Sequence, residues 1–291
     1  MGVSWSQSPN GCWEQCFGKE DSVVSQLNNI VRNQGFDGVD IDYEYYYETA
    51  AQQSFLTKVT TGLRSTLPAG SIVSHAPIDA DLVPGKGYYE ALNSVSSSLS
   101  FLNVQYYNGI TRPIMNGLSG TGNGASQSAI SHFRTVVDNL FGGNPTKVVF
   151  GFCLNDCASL NSNSNGNQAA AVMSSLKSTY PCNGGAMFWE SGSANEINTA
   201  WSTPVSAVTR PSTGCSINQP PPVAAPTVPN WSIICIKGVS TCANNWVCCV
   251  APADVSTSKA TCRPDSSSQN CATSTPNTPG TCGNAQRGNG K

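Results

Sequence analysis

The stretch Phe36-Asp37-Gly38-Val39-Asp40-Ile41-Asp42-Tyr43-Glu44 decides the fold of this chain. Apolar and acidic residues alternate in it with a period of two, which is the side-chain period of a β-strand. The acidic members of the row would share one face of the strand: Asp40, Asp42 and Glu44. The apolar members would share the opposite face: Val39, Ile41 and Tyr43. Three carboxylates on one face repel each other and cost stability. The row therefore indicates a chemical use for the acids.

The position of Glu44 in this row favours a role as a proton donor. Glu44 is the last of the three acids, nearest the C-terminal end of the strand, and the like charges beside it should raise its pKa. A raised pKa suits a general acid. Asp42, next in the row, is expected to stay charged and to stabilise developing positive charge. The alternatives are a charged strand face or a calcium loop, but a calcium loop needs a longer run of oxygen ligands around a glycine.

Three segments of the chain together resemble a known family. Residues 37–44 resemble the DGxDxDxE signature of glycoside hydrolase family 18, the chitinases and their relatives. Residues 101–108 (FLNVQYYN) resemble the sixth barrel strand in the plant- and fungal-type branch of that family, and residues 184–189 (GGAMFW) resemble the eighth. The three matches occur in the expected order, and the resemblance runs from residue 1 to about residue 201. It implies a chitinase acting on chitin or chitooligosaccharides.

The resemblance also implies a role for each acid. Glu44 would protonate the glycosidic oxygen, while the N-acetyl carbonyl of the substrate attacks the anomeric carbon, because this family is substrate-assisted. Asp42 would hold the N-acetyl N–H and stabilise the positive charge of the oxazolinium intermediate, and Asp40 would tune Asp42. Glu44 would then act as the base toward water, with retention of the anomeric configuration.

Four further residues are implied to contact the sugar. Tyr107 would donate a hydrogen bond to the N-acetyl carbonyl, Gln105 and Asn108 would line the pocket, and Trp189 would form an apolar floor. Alternation along the strand sends Tyr106 and Tyr107 to opposite faces. The family needs no cofactor, and the two isolated histidines of the chain predict no metal site. We expect His75 to be a satisfied core residue and His132 to lie on the surface.

The fold class expected from the sequence is α/β, in the form of a (β/α)₈ TIM barrel. Strands are predicted at 37–43, 71–77, 101–107, 147–152 and 184–189. Helical stripes lie between them, so strand and helix alternate as in a parallel sheet with crossovers. Only 36 residues precede Asp37, whereas a complete barrel takes about 250 residues. We therefore expect an incomplete barrel that lacks its first strands, as in an N-terminally truncated member of the family.

Composition divides the chain into three parts. Residues 1–202 form the predicted catalytic barrel, 203–230 a linker rich in Pro, Ser and Thr, and 231–291 a cysteine-rich module or tail that could bind carbohydrate. Together with Cys215 that tail has eight cysteines, enough for four bridges. Zinc is the rival interpretation, but repeated C-x-x-C spacing and nearby histidines are absent.

Charge and cysteine content bound the location and the partners. The net charge is −2, only 11% of residues are charged, and 13 are cysteine. This composition has no basic patch for nucleic acid and no apolar run of membrane-spanning length. Abundant cysteine indicates an oxidising compartment, so we expect an extracellular monomer, although no signal peptide is visible at residues 1–6.

The individual cysteines of the barrel region suggest particular pairings. Cys12 and Cys16 are close enough to bridge within a loop. Cys153, Cys157 and Cys182 cannot all pair among themselves, so one of them is expected to pair with a missing N-terminal part.

Two other functions remain open at this level. An endo-β-N-acetylglucosaminidase acting on N-glycans shares the acidic motif, although the Gln-Tyr-Tyr-Asn strand favours a chitinase. A chitin-binding lectin without catalysis, or an inactive fragment, is the alternative from another class. Such lectins usually lose the catalytic Glu, so the presence of Glu44 argues against the lectin, whereas an incomplete barrel argues for it or for the fragment.

Overall fold

The computed structural model of the chain describes residues 13–44, 49–155, 157, 161–190, 195–210 and 215, and the backbone of four short strands between 227 and 263. The chain divides into two compact units. The first comprises Met1–Val24, Val39–Thr66 and Ile72–Asn218, and the second comprises Ser25–Gly38, Leu67–Ser71 and Gln219–Lys291.

Five strands form the central sheet in chain order. They are β1 (Gly38–Ile41), β2 (Ile72–His75), β3 (Phe101–Gln105), β4 (Val148–Cys153) and β5 (Ala186–Trp189). The pairs from β2 to β5 are parallel, and β1 joins β2 through the hydrogen bond from Ala76 N–H to the Ile41 carbonyl. All five strands were predicted, and each observed bound lies within two residues of the prediction.

Helices alternate with these strands. They are α1 (Glu20–Gln34), α2 (Ala50–Thr66), α3 (Gly87–Ser94), α4 (Met115–Leu118), α5 (Ala129–Phe141), α6 (Gly166–Thr179) and α7 (Asn195–Thr209). Sequential parallel strands with helical crossovers are the repeating unit of a (β/α)₈ barrel. The described residues form five such strands in succession, which confirms the predicted class of an incomplete barrel. None of the helices in the described part of the chain is long and apolar enough to cross a membrane.

Local sequence explains where the helices begin and end. The side chain of Ser128 caps α5 by accepting from the Ser131 N–H, and Gly142 ends it in the left-handed conformation, with φ of 58°. A reciprocal capping box between Asn165 and Gln168 begins α6. Gly35, which follows α1, has a φ of 70°, as expected for the residue predicted to end that helix.

An aromatic layer packs the strands against the helices. Tyr106 is fully buried and stacks on Phe150 with ring centroids 4.0 Å apart, and Phe152 packs edge-on against Trp201 of α7. Tyr106 therefore points toward the helices, and Tyr107, one residue later, points to the opposite face of β3.

The prediction for one histidine is confirmed, and the prediction for the other is wrong. His75 is a satisfied core residue, as predicted: its Nε2 lies 2.9 Å from Thr60 Oγ1 and its Nδ1 lies 2.9 Å from the Tyr88 hydroxyl. The surface assignment of His132 is wrong. It is 1% exposed and lies 3.1 Å from the Leu82 carbonyl oxygen, because its position on α5, three residues after Ala129, places it on the buried face.

The disulfides correct the cysteine assignment. Cys153 pairs with Cys157, and Cys182 pairs with Cys215. The expectation that one of the barrel cysteines pairs with a missing N-terminal part is therefore wrong. Because Cys215 is bonded to Cys182, the four bridges expected among Cys215 and the seven tail cysteines cannot all form. Cys16 carries a free thiol, and its suggested partner, Cys12, lies outside the described residues.

The C-terminal region contains two small two-stranded sheets. Strands β6 (Thr227–Val228) and β7 (Thr241–Cys242) are parallel, and β8 (Val247–Cys249) and β9 (Thr261–Arg263) are antiparallel. Helix α7 extends to Thr209 and so occupies the first seven residues of the predicted linker. The boundaries 1–202, 203–230 and 231–291 otherwise stay a prediction.

Candidate active site

The acidic row lies on the face of β1 opposite the helices. The apolar members of the alternating stretch are 8% exposed or less, and Tyr43 packs against the rings of Trp13 and Tyr88. Asp40, Asp42 and Glu44 are only partly buried. The alternation predicted from the sequence is therefore present, and the acids approach the C-terminal end of the strand, where parallel α/β barrels place their active sites.

Two polar side chains hold Asp40 in place. The Ser74 hydroxyl on β2 and the Asn103 side-chain amide on β3 both donate to Asp40 Oδ1, the latter at 3.2 Å. Sequence reasoning missed both residues. Their signal was present, because each is a polar residue that directly follows two apolar residues of its strand.

One amide group links the other two acids. The Nε2 atom of Gln105 lies 2.9 Å from Glu44 Oε1, 3.2 Å from Asp42 Oδ1 and 2.8 Å from the Ala76 carbonyl oxygen. A side-chain amide has only two N–H groups, so three acceptors share two donors. Gln105 therefore fixes the separation of Asp42 and Glu44 without being able to satisfy both fully.

The pKa of Asp42 is strongly perturbed. Burial, together with the neighbouring carboxylates of Glu44 and Asp40, raises the pKa of Asp42 to about 7. Burial disfavours the charged form of Asp42 most, and the carboxylate on each side of it adds like-charge repulsion. The expectation that Asp42 stays charged and stabilises developing positive charge stays a prediction.

Tyr107 and Asn108 lie just beyond the end of β3. Tyr107 is 5% exposed and packs with the Cys153–Cys157 disulfide and Met187. Asn108 has a φ of 63°, and its backbone N–H donates to Ser162 Oγ at 3.0 Å. Both residues are therefore held by contacts with residues that end or follow β4.

Trp189 occupies the far edge of the sheet from the acids. It ends β5 in register with Cys153 of β4, and its side chain is 45% exposed. Its neighbour Phe188 packs on Trp201, on the helix side. The peptide bond between Trp189 and Glu190 is cis. Trp189 therefore lies four strands away from the acids, whereas Gln105 is hydrogen-bonded to two of them.

A fully buried carboxylate, that of Asp79, supports the loop after β3. Asp79 is fully buried and accepts hydrogen bonds from the N–H groups of Ile110 at 3.1 Å and Thr111 at 2.7 Å. Burial raises the pKa of Asp79. Sequence reasoning did not identify this anchor. Among the residues that the structure describes, no group of three or more His, Cys, Asp or Glu side chains could hold a metal ion.

Several solved structures are similar to the chain. No protein-family model matches it, and no curated protein does. A family 18 chitinase from Pseudoalteromonas aurantia is 24% identical, with a TM-score of 0.50 over 71% of this chain and 73% of that chain.

Two other solved structures are similar to a comparable degree. A Streptomyces coelicolor protein assigned as chitinase A is 22% identical, with a TM-score of 0.52 over 72% of this chain and 71% of that one. A family 18 chitinase from Crocus vernus is 18% identical, with a TM-score of 0.51 over 71% and 69%. The chain therefore has the fold of family 18 chitinases, which confirms the resemblance at the level of fold.

Proposed function

We propose that this chain is a glycoside hydrolase family 18 chitinase that cleaves β-1,4-linked N-acetylglucosamine polymers with retention of configuration. The observation that supports this most directly is the row of three carboxylates that begins on β1 at Asp40 and continues past its end to Asp42 and Glu44, the last two joined by Gln105. The row lies on a fold shared with several chitinases, at the end of the sheet where such barrels carry out chemistry.

Glu44 is the proton donor in the first step. It gives its proton to the glycosidic oxygen, which leaves with the electron pair of the broken C–O bond. The N-acetyl carbonyl oxygen of the substrate attacks the anomeric carbon at the same time and forms an oxazolinium ion. Gln105, which donates to Glu44 Oε1 at 2.9 Å, orients the acid toward the bond to be cleaved.

Asp42 and Asp40 stabilise the positive charge of the intermediate. Asp42 accepts the N–H of the N-acetyl group and stabilises the positive charge that develops on the ring. Its pKa of about 7 lets a proton move within the row as that charge appears. Asp40, held by Ser74 and Asn103, supplies a fixed carboxyl group behind Asp42.

The remaining residues bind the sugar. The Tyr107 hydroxyl donates to the N-acetyl carbonyl oxygen and keeps it in line with the anomeric carbon. Gln105 and Asn108 line the pocket. The exposed Trp189 ring provides a flat apolar surface under the sugar. Glu44 then removes a proton from the water that opens the oxazolinium ion.

The chemistry of the chain also suggests where it acts. Two disulfides within the described residues are typical of proteins from oxidising compartments. We therefore propose secretion, with chitin or chitooligosaccharides as the partners of a monomer that needs no cofactor.

The test is turnover of fluorogenic chitobioside and chitotrioside by the purified chain and by its Glu44→Gln variant. We expect turnover by the parent chain and its loss in Glu44→Gln. Glu90→Gln, the same chemical change on the exposed face of α3, should keep turnover. Far-UV circular dichroism of all three proteins checks the fold.

Other outcomes assign the chain differently. A folded chain without turnover that binds chitin beads would be a lectin. Release of glycans from a glycoprotein, with no activity on chitooligosaccharides, would indicate an endo-β-N-acetylglucosaminidase. Turnover that persists in Glu44→Gln would overturn the role of Glu44.

A further inference from the structure

A short disulfide loop lies beside the end of β3. Cys153 is the last residue of β4 and is bonded to Cys157, and the two residues are 0% and 1% exposed. They form a buried cluster with Tyr107, against which Met187 packs. One wall of the Tyr107 environment is therefore this disulfide.

Asn108 is tied to the same loop by two contacts. Its backbone N–H donates to Ser162 Oγ at 3.0 Å, and its side-chain amide lies 3.2 Å from Cys157 Sγ. The φ of Asn108 is 63°, a conformation that costs energy for a residue with a side chain and persists where its surroundings fix it. These contacts supply that constraint directly after Tyr107.

The loop is itself anchored by internal hydrogen bonds. The Cys157 N–H donates to Asn163 Oδ1 at 2.7 Å, the Ser162 N–H to the Cys157 carbonyl at 3.0 Å, and the Ser164 N–H to the Cys153 carbonyl at 2.8 Å. Cys153, Cys157 and Ser162 are called the disulfide clamp below. The clamp presents a fixed surface to β3, since these hydrogen bonds hold its backbone.

We infer that the disulfide clamp positions Tyr107 and Asn108 for catalysis. The inference rests on the proposed function, in which Tyr107 donates to the N-acetyl carbonyl oxygen. The clamp residues are positioning residues: they act through Tyr107 and Asn108 without contacting the reacting atoms. A hydroxyl that must meet a carbonyl oxygen in the transition state loses most of its effect when it is displaced by about 1 Å.

The spacing of the clamp cysteines supports a local role. The Cys153–Cys157 bridge closes a separation of only 4 residues, whereas Cys182–Cys215 closes one of 33. In the chain-entropy model the stabilisation by a disulfide grows with the length of the loop that it closes. The clamp bridge therefore contributes less to global stability than its counterpart. Cys182 precedes β5, at the opposite end of the strands from the clamp.

The two bridges provide a matched pair of variants. One double variant combines Cys153→Ala with Cys157→Ala, and the other combines Cys182→Ala with Cys215→Ala. The measurements are kcat and KM on the fluorogenic chitobioside, and Tm by circular dichroism. We expect the first variant to lose about 10- to 100-fold in kcat, with a smaller change in KM and a small change in Tm. The second should lower Tm more and keep kcat at temperatures where it is folded.

A third variant separates the backbone contact from the disulfide. Ser162→Ala keeps the bridge but removes the acceptor of the Asn108 N–H, so kcat should fall in the same direction. Equal kcat in the parent chain, in Ser162→Ala and in the variant without the clamp bridge would overturn the positioning role. So would equal losses of kcat in the two disulfide variants, which would indicate a general stability effect. A parent chain without Glu44-dependent turnover would instead refute the proposed function itself.

Discussion

Gln105 donates a hydrogen bond to Glu44 across 2.9 Å, although the two residues are 61 positions apart in the chain and β2 lies between their strands. The same NH₂ group also lies within hydrogen-bonding distance of Asp42 and of the Ala76 carbonyl. The relative positions of the two acids thus depend on one neutral side chain. Replacing its amide by a carboxyl group tests that dependence.

Gln105→Glu should destabilise the protein in a pH-dependent way. At pH 8 the new carboxylate faces the acidic row and the donor to Glu44 is lost, so we expect a cost of about 1–3 kcal/mol in the free energy of unfolding. At pH 5 the cost should be smaller, because a protonated carboxyl can still donate. Urea unfolding at both pH values measures it. Gln168→Glu, the same change at an exposed position near the start of α6, should show no such pH difference.

Asp42→Asn should flatten the decrease of stability with pH. The pKa of Asp42 is raised from 3.8 to about 7 in the folded protein. Between these values the folded state holds a proton that the unfolded state has released, so stability falls as pH rises through this window. Asn cannot ionise and removes that contribution. Urea unfolding from pH 5 to pH 8 should therefore give a shallower decrease for the variant. Parallel curves would contradict the prediction, and the exposed Asp138→Asn serves as the control.

His75→Gln should reduce the sensitivity to acid. Burial lowers the pKa of His75 from 6.5 to about 3. Between these values only the unfolded state binds the proton, so stability falls as pH decreases, opposite in sign to the contribution of Asp42. Gln cannot be charged but can donate toward Thr60. We expect the variant to be less stable at pH 7 and to lose less stability between pH 6.5 and pH 4.5, as measured by chemical unfolding. A loss equal to that of the parent chain would show that His75 does not titrate on unfolding.

Asp79 and Gly109 should be energetically coupled. Asp79→Ala leaves the N–H groups of Ile110 and Thr111 without their acceptor, at a cost of about 2–4 kcal/mol. Gly109→Ala should also destabilise, because the added Cβ would overlap Asp79 Oδ1. In the double variant that overlap is gone. The destabilisation of the double variant should therefore be smaller than the sum of the two single-variant costs, by roughly 1 kcal/mol or more. Thermal or urea unfolding of the four proteins gives the coupling, and strict additivity would refute it.

Patterns confined to one element were readable from the chain. The alternation of residues 36–44 predicted β1 and the face of its acids, and the other four strands were located from short, mainly apolar runs between helical stripes. The burial of His132 could also have been predicted from its spacing to Ala129 and Val136, both buried on α5. The surface prediction for His132 was wrong because it was based on the residue type and not on the position of the residue in the helix.

Contacts between distant segments were not readable in the same way. The neighbours within a strand do not show how deeply each acid of the row is buried. Partial burial by the surrounding structure is the main reason that the pKa of Asp42 is raised. The pairing of Cys182 with Cys215 likewise depends on where the chain returns after α7, which cysteine spacing does not specify.

The sequence by itself determined the row of three acids, the strand that carries them and the order of the five β/α units. Each of these follows from side-chain periodicity over a few residues. Only the tertiary structure decided that Gln105 joins Asp42 to Glu44, that Ser74 and Asn103 hold Asp40, and that a disulfide packs on Tyr107. Those contacts depend on which strands become neighbours in the sheet and on the register between them. Neighbouring strands come together because the whole layer of helices is buried against the sheet. No pattern within a single element specifies that packing.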